Sequence, residues 1–87
     1  MLRIRRSGNG EVIFTLSGQV DKEATAELEM LIKSEGAARR IILDLKDVTF
    51  VSEDAIGFFE RCEADSITLQ NCPAYVRSWM NGRKRGN

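Results

Sequence analysis

The chain has 87 residues, 43% of them apolar and 30% charged, with as many bases as acids. That length supports one domain with one core and leaves little depth for an enclosed cleft, and the apolar share belongs to a folded chain rather than a disordered one. With no histidine, the commonest general base, the usual nucleophilic triads and the ordinary zinc and iron ligand sets are excluded. Ile41-Ile42-Leu43 is far too short an apolar run to cross a bilayer. Met1-Leu2-Arg3-Ile4-Arg5-Arg6 is not followed by the apolar stretch of a secretory leader, so a cytoplasmic location is expected. Cys62 and Cys72 form no CxxC pair, and in a reducing compartment both are expected to be small buried hydrophobes.

Leu2-Arg3-Ile4-Arg5-Arg6 alternates briefly before the turn residues Ser7-Gly8-Asn9-Gly10. Val12, Phe14 and Leu16 then share one face of a second run, with Ile13 and Thr15 on the other. Two such runs around a Gly/Asn-rich turn predict a β-hairpin, its second strand ending at Gly18. Asp21 suits a helix N-cap, and Glu23 adds favourable charge to the first turn. Ala24, Leu28, Leu31 and Ile32 form one stripe of that helix, Lys22, Glu23, Glu27 and Lys33 lie outside it, and Gly36 stops it.

Arg40-Ile41-Ile42-Leu43-Asp44-Leu45 is apolar on both faces apart from Asp44, which predicts a central strand covered on both sides. Lys46-Asp47 reads as a loop, and Val48-Thr49-Phe50-Val51 as a further extended stretch. Ser52 is a good N-cap for a second, brief helix with Glu53 and Asp54 in its first turn. Ala55 or Ile56, Phe59 and Cys62 supply its buried stripe. Ile67-Thr68-Leu69 predicts the last strand. Pro73 fits the first turn of a third helix with Val76, Trp79 and Met80 inward, Tyr75 at the surface and Gly82 as the stop. The fold class is therefore α/β. A hairpin followed by two right-handed crossovers gives a mixed four-stranded sheet with about three helices. One domain covers residues 1–82, and residues 83–87 form a basic, disordered tail.

The charge is unevenly spread. Residues 41–65 hold seven acids against Lys46 and Arg61, whereas residues 66–87 hold Arg77, Arg83, Lys84 and Arg85 and no acid. The cluster Arg83-Lys84-Arg85 lies at the end of the chain rather than on a folded basic face, which argues against nucleic acid as a partner.

The order of elements and three stretches of sequence resemble the STAS domain, the family of bacterial anti-sigma-factor antagonists and of modules attached to anion transporters. Phe14-Thr15-Leu16-Ser17-Gly18-Gln19-Val20-Asp21 is similar to the family's strand-Gly-x-x-Asp approach to its first helix. Ile41-Ile42-Leu43-Asp44-Leu45 with Val48-Thr49-Phe50-Val51 resembles its central strand and the run into its switch loop, and Asn71-Cys72-Pro73-Ala74-Tyr75-Val76-Arg77 its Pro-led last helix. Together they span residues 2–82. In the family the switch loop reads Asp-Ser-Ser/Thr-Gly, and its first Ser is phosphorylated by a partner kinase that is also the anti-sigma factor. Those positions fall here on Ser52, Glu53, Asp54 and Ala55, so a carboxylate stands where the phosphoacceptor would be. The second helix is also shorter than the family's, and the usual final strand or extension does not follow the third.

The resemblance implies a non-enzymatic module that binds a protein partner through Ser52, Glu53, Asp54 and Ala55, with Asp21 and Asp44 as further candidates. Two readings of the acids stand side by side. Glu53 and Asp54 place on the helix start a permanent charge comparable with that of a phosphoserine, or they only stabilise a first turn, by roughly 0.3–1 kcal/mol each. Ser52 is either the N-cap or a displaced phosphoacceptor, although a phosphate there would face like charges. An accessory subunit of a membrane transporter is an alternative within the same fold. A small Mg²⁺ enzyme built on Asp44, Asp47, Glu53 and Asp54 is an alternative of another class, but no phosphate loop or paired nucleophile and base accompanies it. No cofactor, nucleic acid or direct membrane insertion is expected, and the partner's identity and the oligomeric state stay open.

Overall fold

A computed structural model of the chain describes residues 2–8, 10–36 and 40–85. The elements run β1 (Leu2–Ser7), β2 (Glu11–Val20), α1 (Lys22–Ser34), β3 (Arg40–Val51), α2 (Glu53–Ala64), β4 (Thr68–Gln70) and α3 (Ala74–Arg85). The four strands lie in the order β1-β2-β3-β4. β1 and β2 form the antiparallel hairpin, and β2–β3 and β3–β4 pair in parallel. At the hairpin turn a Cβ on Gly8 would collide with the carbonyl oxygen of Glu11, so only glycine lets the chain reverse there.

All three helices pack on one face of the sheet. Val12, Phe14 and Leu16 from β2 and Ile41, Leu43 and Leu45 from β3 meet Ala24 and Leu28, then Ala55, Ile56, Phe58, Phe59 and Cys62, then Val76 and Met80 in a single core. Leu31 and Ile32 complete the α1 stripe as partly buried neighbours of that core. Cross-strand partners share a face. The opposite face therefore carries Arg3 and Arg5, then Ile13, Thr15 and Ser17, then Ile42 and Asp44, then Thr68 and Gln70. This corrects the expectation that β3 is covered on both sides. Ile42 is buried within the sheet ladder, between its partners Ile13 and Thr68. Asp44 is buried as well, and its Oδ1 offsets that cost by accepting hydrogen bonds from the Lys46 N–H and the Asn71 side-chain amide, both at 3.1 Å.

β3 differs most from its sequence reading. Lys46-Asp47 does not break the strand; instead the partnership with β2 slips between Thr15 and Ser17 and again between Gly18 and Gln19. Each slip is a bulge carrying one extra residue on β3, which inverts the alternation locally. As a result Leu45, Val48 and Val51 all face the core at three-residue spacing, while Lys46, Asp47, Thr49 and Phe50 are exposed. Gly18 does not end β2; it sits at the second slip with φ +107°, a left-handed conformation that favours glycine.

The third helix also departs from expectation. Pro73 immediately precedes it, its carbonyl accepting from the Val76 and Arg77 N–H groups. The helix runs past Gly82 to Arg85, so Arg83-Lys84-Arg85 belong to it rather than to a tail; Gly86 and Asn87 lie outside the described residues. Val76 and Met80 point inward as expected, but Trp79 is 39% exposed beside Tyr75 at 50%. Val76 and Met80 occupy the inward positions one turn apart, and Trp79 falls on the flank toward Tyr75. Two bidentate ion pairs brace the assembly. Arg6 of β1 grips Glu35 just beyond α1, at 2.7 and 2.9 Å, and Arg77 of α3 grips Glu63 of α2, at 3.0 and 2.9 Å.

Candidate functional site at the paired helix starts

The sheet delivers two helix N-termini to one place. β2 and β3 end on the parallel partners Val20 and Val51, and the Ser52 N–H donates to the Val20 carbonyl at 3.0 Å, extending the pairing by one link. Asp21 and Ser52 therefore stand next to each other, both with extended backbone. Each caps its own helix: Asp21 Oδ1 accepts from the Ala24 N–H at 2.9 Å, and Ser52 Oγ from the Ala55 N–H at 3.2 Å. Both cap expectations hold, and the local reason is the same. An extended residue with a short polar side chain satisfies an otherwise unpaired first-turn donor.

Around these caps the acids face outward. Glu23, Glu53 and Asp54 are exposed in the first turns of α1 and α2, where the positive ends of the helix dipoles favour them. Ala55, by contrast, is fully buried beneath the turn, so its part is to let α2 approach the core. Asp44 does not join this group. It lies eight positions before Ser52 on β3, on the order of 20 Å away at the usual rise of a strand, and its carboxylate is engaged by Lys46 and Asn71. Among the described residues no group of three or more aspartate, glutamate or cysteine side chains could hold a metal ion. The carboxylates proposed for Mg²⁺ are not gathered.

Phe50 was missed. It is 50% exposed, two residues before Ser52, and pairs with the exposed Gln19. In sequence it looks like one more member of an apolar strand; only the second bulge turns it to solvent. Asn71 was missed as well. Its left-handed backbone (φ 55°) follows β4, and its side chain ties that end of the sheet to Asp44.

A concavity lies away from the turn, between α1 and the C-terminal half of α2. It is a cavity of about 230 Å³ lined by Ile32, Phe58, Cys62 and Ile67, with Glu29, Lys33, Arg61 and Asp65 also around it. Burial pushes the Cys62 thiol up to about 12, so it stays protonated near neutral pH and is a poor nucleophile. Cys72, half-buried rather than buried, is also raised by burial.

Comparison with solved structures settles what this architecture is. The anti-sigma factor antagonist SpoIIAA, in its unphosphorylated form, superposes with a TM-score of 0.68 over 94% of this chain and 83% of that one, at 19% identity. The fold is STAS-like. A DUF3478-family protein with a SpoIIAA-like fold from Shewanella loihica PV-4 is also similar, with a TM-score of 0.57 at 15% identity, covering 74% of this chain and 56% of its own. So is a segment of Mglu, with a TM-score of 0.57 at 20% identity, covering 83% of this chain but 19% of that one. No protein-family pattern and no curated protein matches the sequence. The likeness of this STAS-like domain to SpoIIAA is therefore one of fold, carried by the sheet order and the helices upon it.

Proposed function

We propose that this STAS-like domain is a non-enzymatic docking module of bacterial partner-switching regulation, with Ser52-Glu53-Asp54 as its point of contact and with no phosphorylation switch at the usual position. The observation that carries the reading is the capped acidic corner. Two capped helix starts are joined by the Ser52–Val20 hydrogen bond, and they present Glu23, Glu53 and Asp54 to solvent, with the half-exposed Phe50 two residues before Ser52 on β3. The position matching the family's phosphoacceptor is Glu53, which accepts no phosphate. The charge that phosphorylation would bring is permanent, so a partner of this domain must recognise the acidic form.

A photo-crosslinking residue at Asp54, with the same residue at exposed Met30 as control, tests the reading in native cells. Mass spectrometry should identify an ATP-binding regulator of the anti-sigma kinase type at Asp54 and not at Met30. Its affinity for purified domain should fall at least about tenfold in E53K/D54K, as expected when like charge replaces a complementary pair. Equal affinity of wild type and E53K/D54K would refute the docking point. Recovery of a transporter subunit in place of the regulator would move the domain to the accessory-subunit role.

A further inference from the structure

The cavity between α1 and the C-terminal half of α2 has no part in the acidic corner. Its floor is apolar: Ile32 and Ile67 are half-buried, and Phe58 and Cys62 are 2% and 4% exposed. Cys62 keeps its proton near neutral pH, so the floor carries no charge. Four exposed charges surround it, Glu29 and Lys33 on α1, Arg61 in the last turn of α2 and Asp65 at its C-cap. Glu29 and Lys33, like Arg61 and Asp65, have the one-turn spacing at which opposite charges commonly meet on a helix. Among the described residues, these four nevertheless form no ion pair with one another. Charges of both signs are therefore left open around an apolar floor.

We propose that this cavity binds a free branched aliphatic amino acid, with its side chain on the apolar floor. Its carboxylate lies toward Lys33 and Arg61, and its ammonium group toward Glu29 and Asp65. The rim selects this class. A wholly apolar molecule would cover the charges without answering them, which costs free energy. A fatty acid would meet two carboxylates and a simple amine two cations, each a like-charge contact. A zwitterion with an apolar body leaves no lining group unanswered, and an apolar lining with a few orienting polar groups is the usual make-up of a small-molecule site. Size points the same way. At about 230 Å³ the cavity lies below the roughly 300–1,000 Å³ of sites for drug-sized ligands and suits one side chain with its head group. The site stands apart from the docking corner and does not depend on that reading.

Titration with leucine, followed through the isoleucine methyl resonances of isotope-labelled protein, tests the site. Ile32 and Ile67 should shift saturably, with a dissociation constant on the order of 1 mM or below. Ile13, on the opposite face of the sheet, should not move. Isoamylamine and isocaproate carry the leucine side chain with only one of its two charges, and each should bind at least about tenfold more weakly. Leucine should be weakened to a similar degree in K33E/R61E, where acids face its carboxylate. Both substituted residues are exposed, so this variant should keep the wild-type circular dichroism. The proposal fails if leucine produces no saturable shift at Ile32 and Ile67, or if either singly charged analogue binds as well as leucine. It fails equally if K33E/R61E binds leucine as wild type does.

Discussion

Ser52 shows how one side chain can be read from sequence and still gain meaning from the structure. Its place before an acidic first turn identifies it as a cap, and the Oγ–Ala55 bond agrees. The link from its own N–H to Val20 was not legible, because it depends on which strand lies alongside. Ser52→Ala should cost about 1 kcal/mol in urea unfolding, the usual loss for an N-cap, and wild-type protein incubated with a family kinase and ATP should carry no phosphate at Ser52 by mass spectrometry. Phosphate there would restore a switch to the corner. Cys62 gives a second prediction at this scale. Its thiol is held near 12 in the fold against 9.0 unperturbed, so the folded state binds the proton more tightly than the unfolded state. Its contribution is therefore complete below about pH 9 and is lost as pH rises from there toward 12. Stability should decline over that window in wild type and less steeply in Cys62→Ala, as measured by denaturant midpoints; parallel curves would refute it.

At the scale of elements, periodicity placed the hairpin strands, α1 and α2 within a few residues, since one buried face imposes a simple pattern. It failed on β3, where two bulges turn alternation into three-residue spacing and make Lys46-Asp47 look like a loop. A bulge is a property of the pair of strands and leaves only a blurred trace in either one. The same geometry yields a test by deletion. Without Phe50, Val48-Thr49-Val51 alternates normally, and the strand still brings Val51 to the core. Deleting Phe50 should leave a cooperatively folding protein, with a loss on the order of 1 kcal/mol, the scale of one cross-strand pair. Deleting Ile42, in the regular part of β3, inverts one side of the strand relative to the other and should abolish cooperative unfolding by circular dichroism. Equal outcomes for the two deletions would remove the bulge explanation.

For the whole molecule, the order of elements and the resemblance were enough to anticipate a STAS-like fold, and the superposition on SpoIIAA bears that out. The sidedness was not anticipated. A continuous apolar run such as Ile41-Ile42-Leu43 signals burial without saying whether helices or neighbouring strands provide it, and here Ile42 is buried within the sheet ladder while every helix packs on the other face. Nor did composition show that the two ends of the charge distribution would sit on different elements, acids at the helix starts and bases at the end of α3. Trp79 has a practical consequence that follows from its place on that last helix. The sole indole of the chain sits at the boundary between the α3 packing and solvent, while the interior is built from phenylalanine and aliphatic side chains that scarcely emit. At 39% exposure the indole is partly packed on the flank of α3, so its fluorescence would follow both what touches that helix and the loss of its packing on unfolding. An optical record of the core alone would come from an indole placed inside by Phe59→Trp, whose native residue is fully buried.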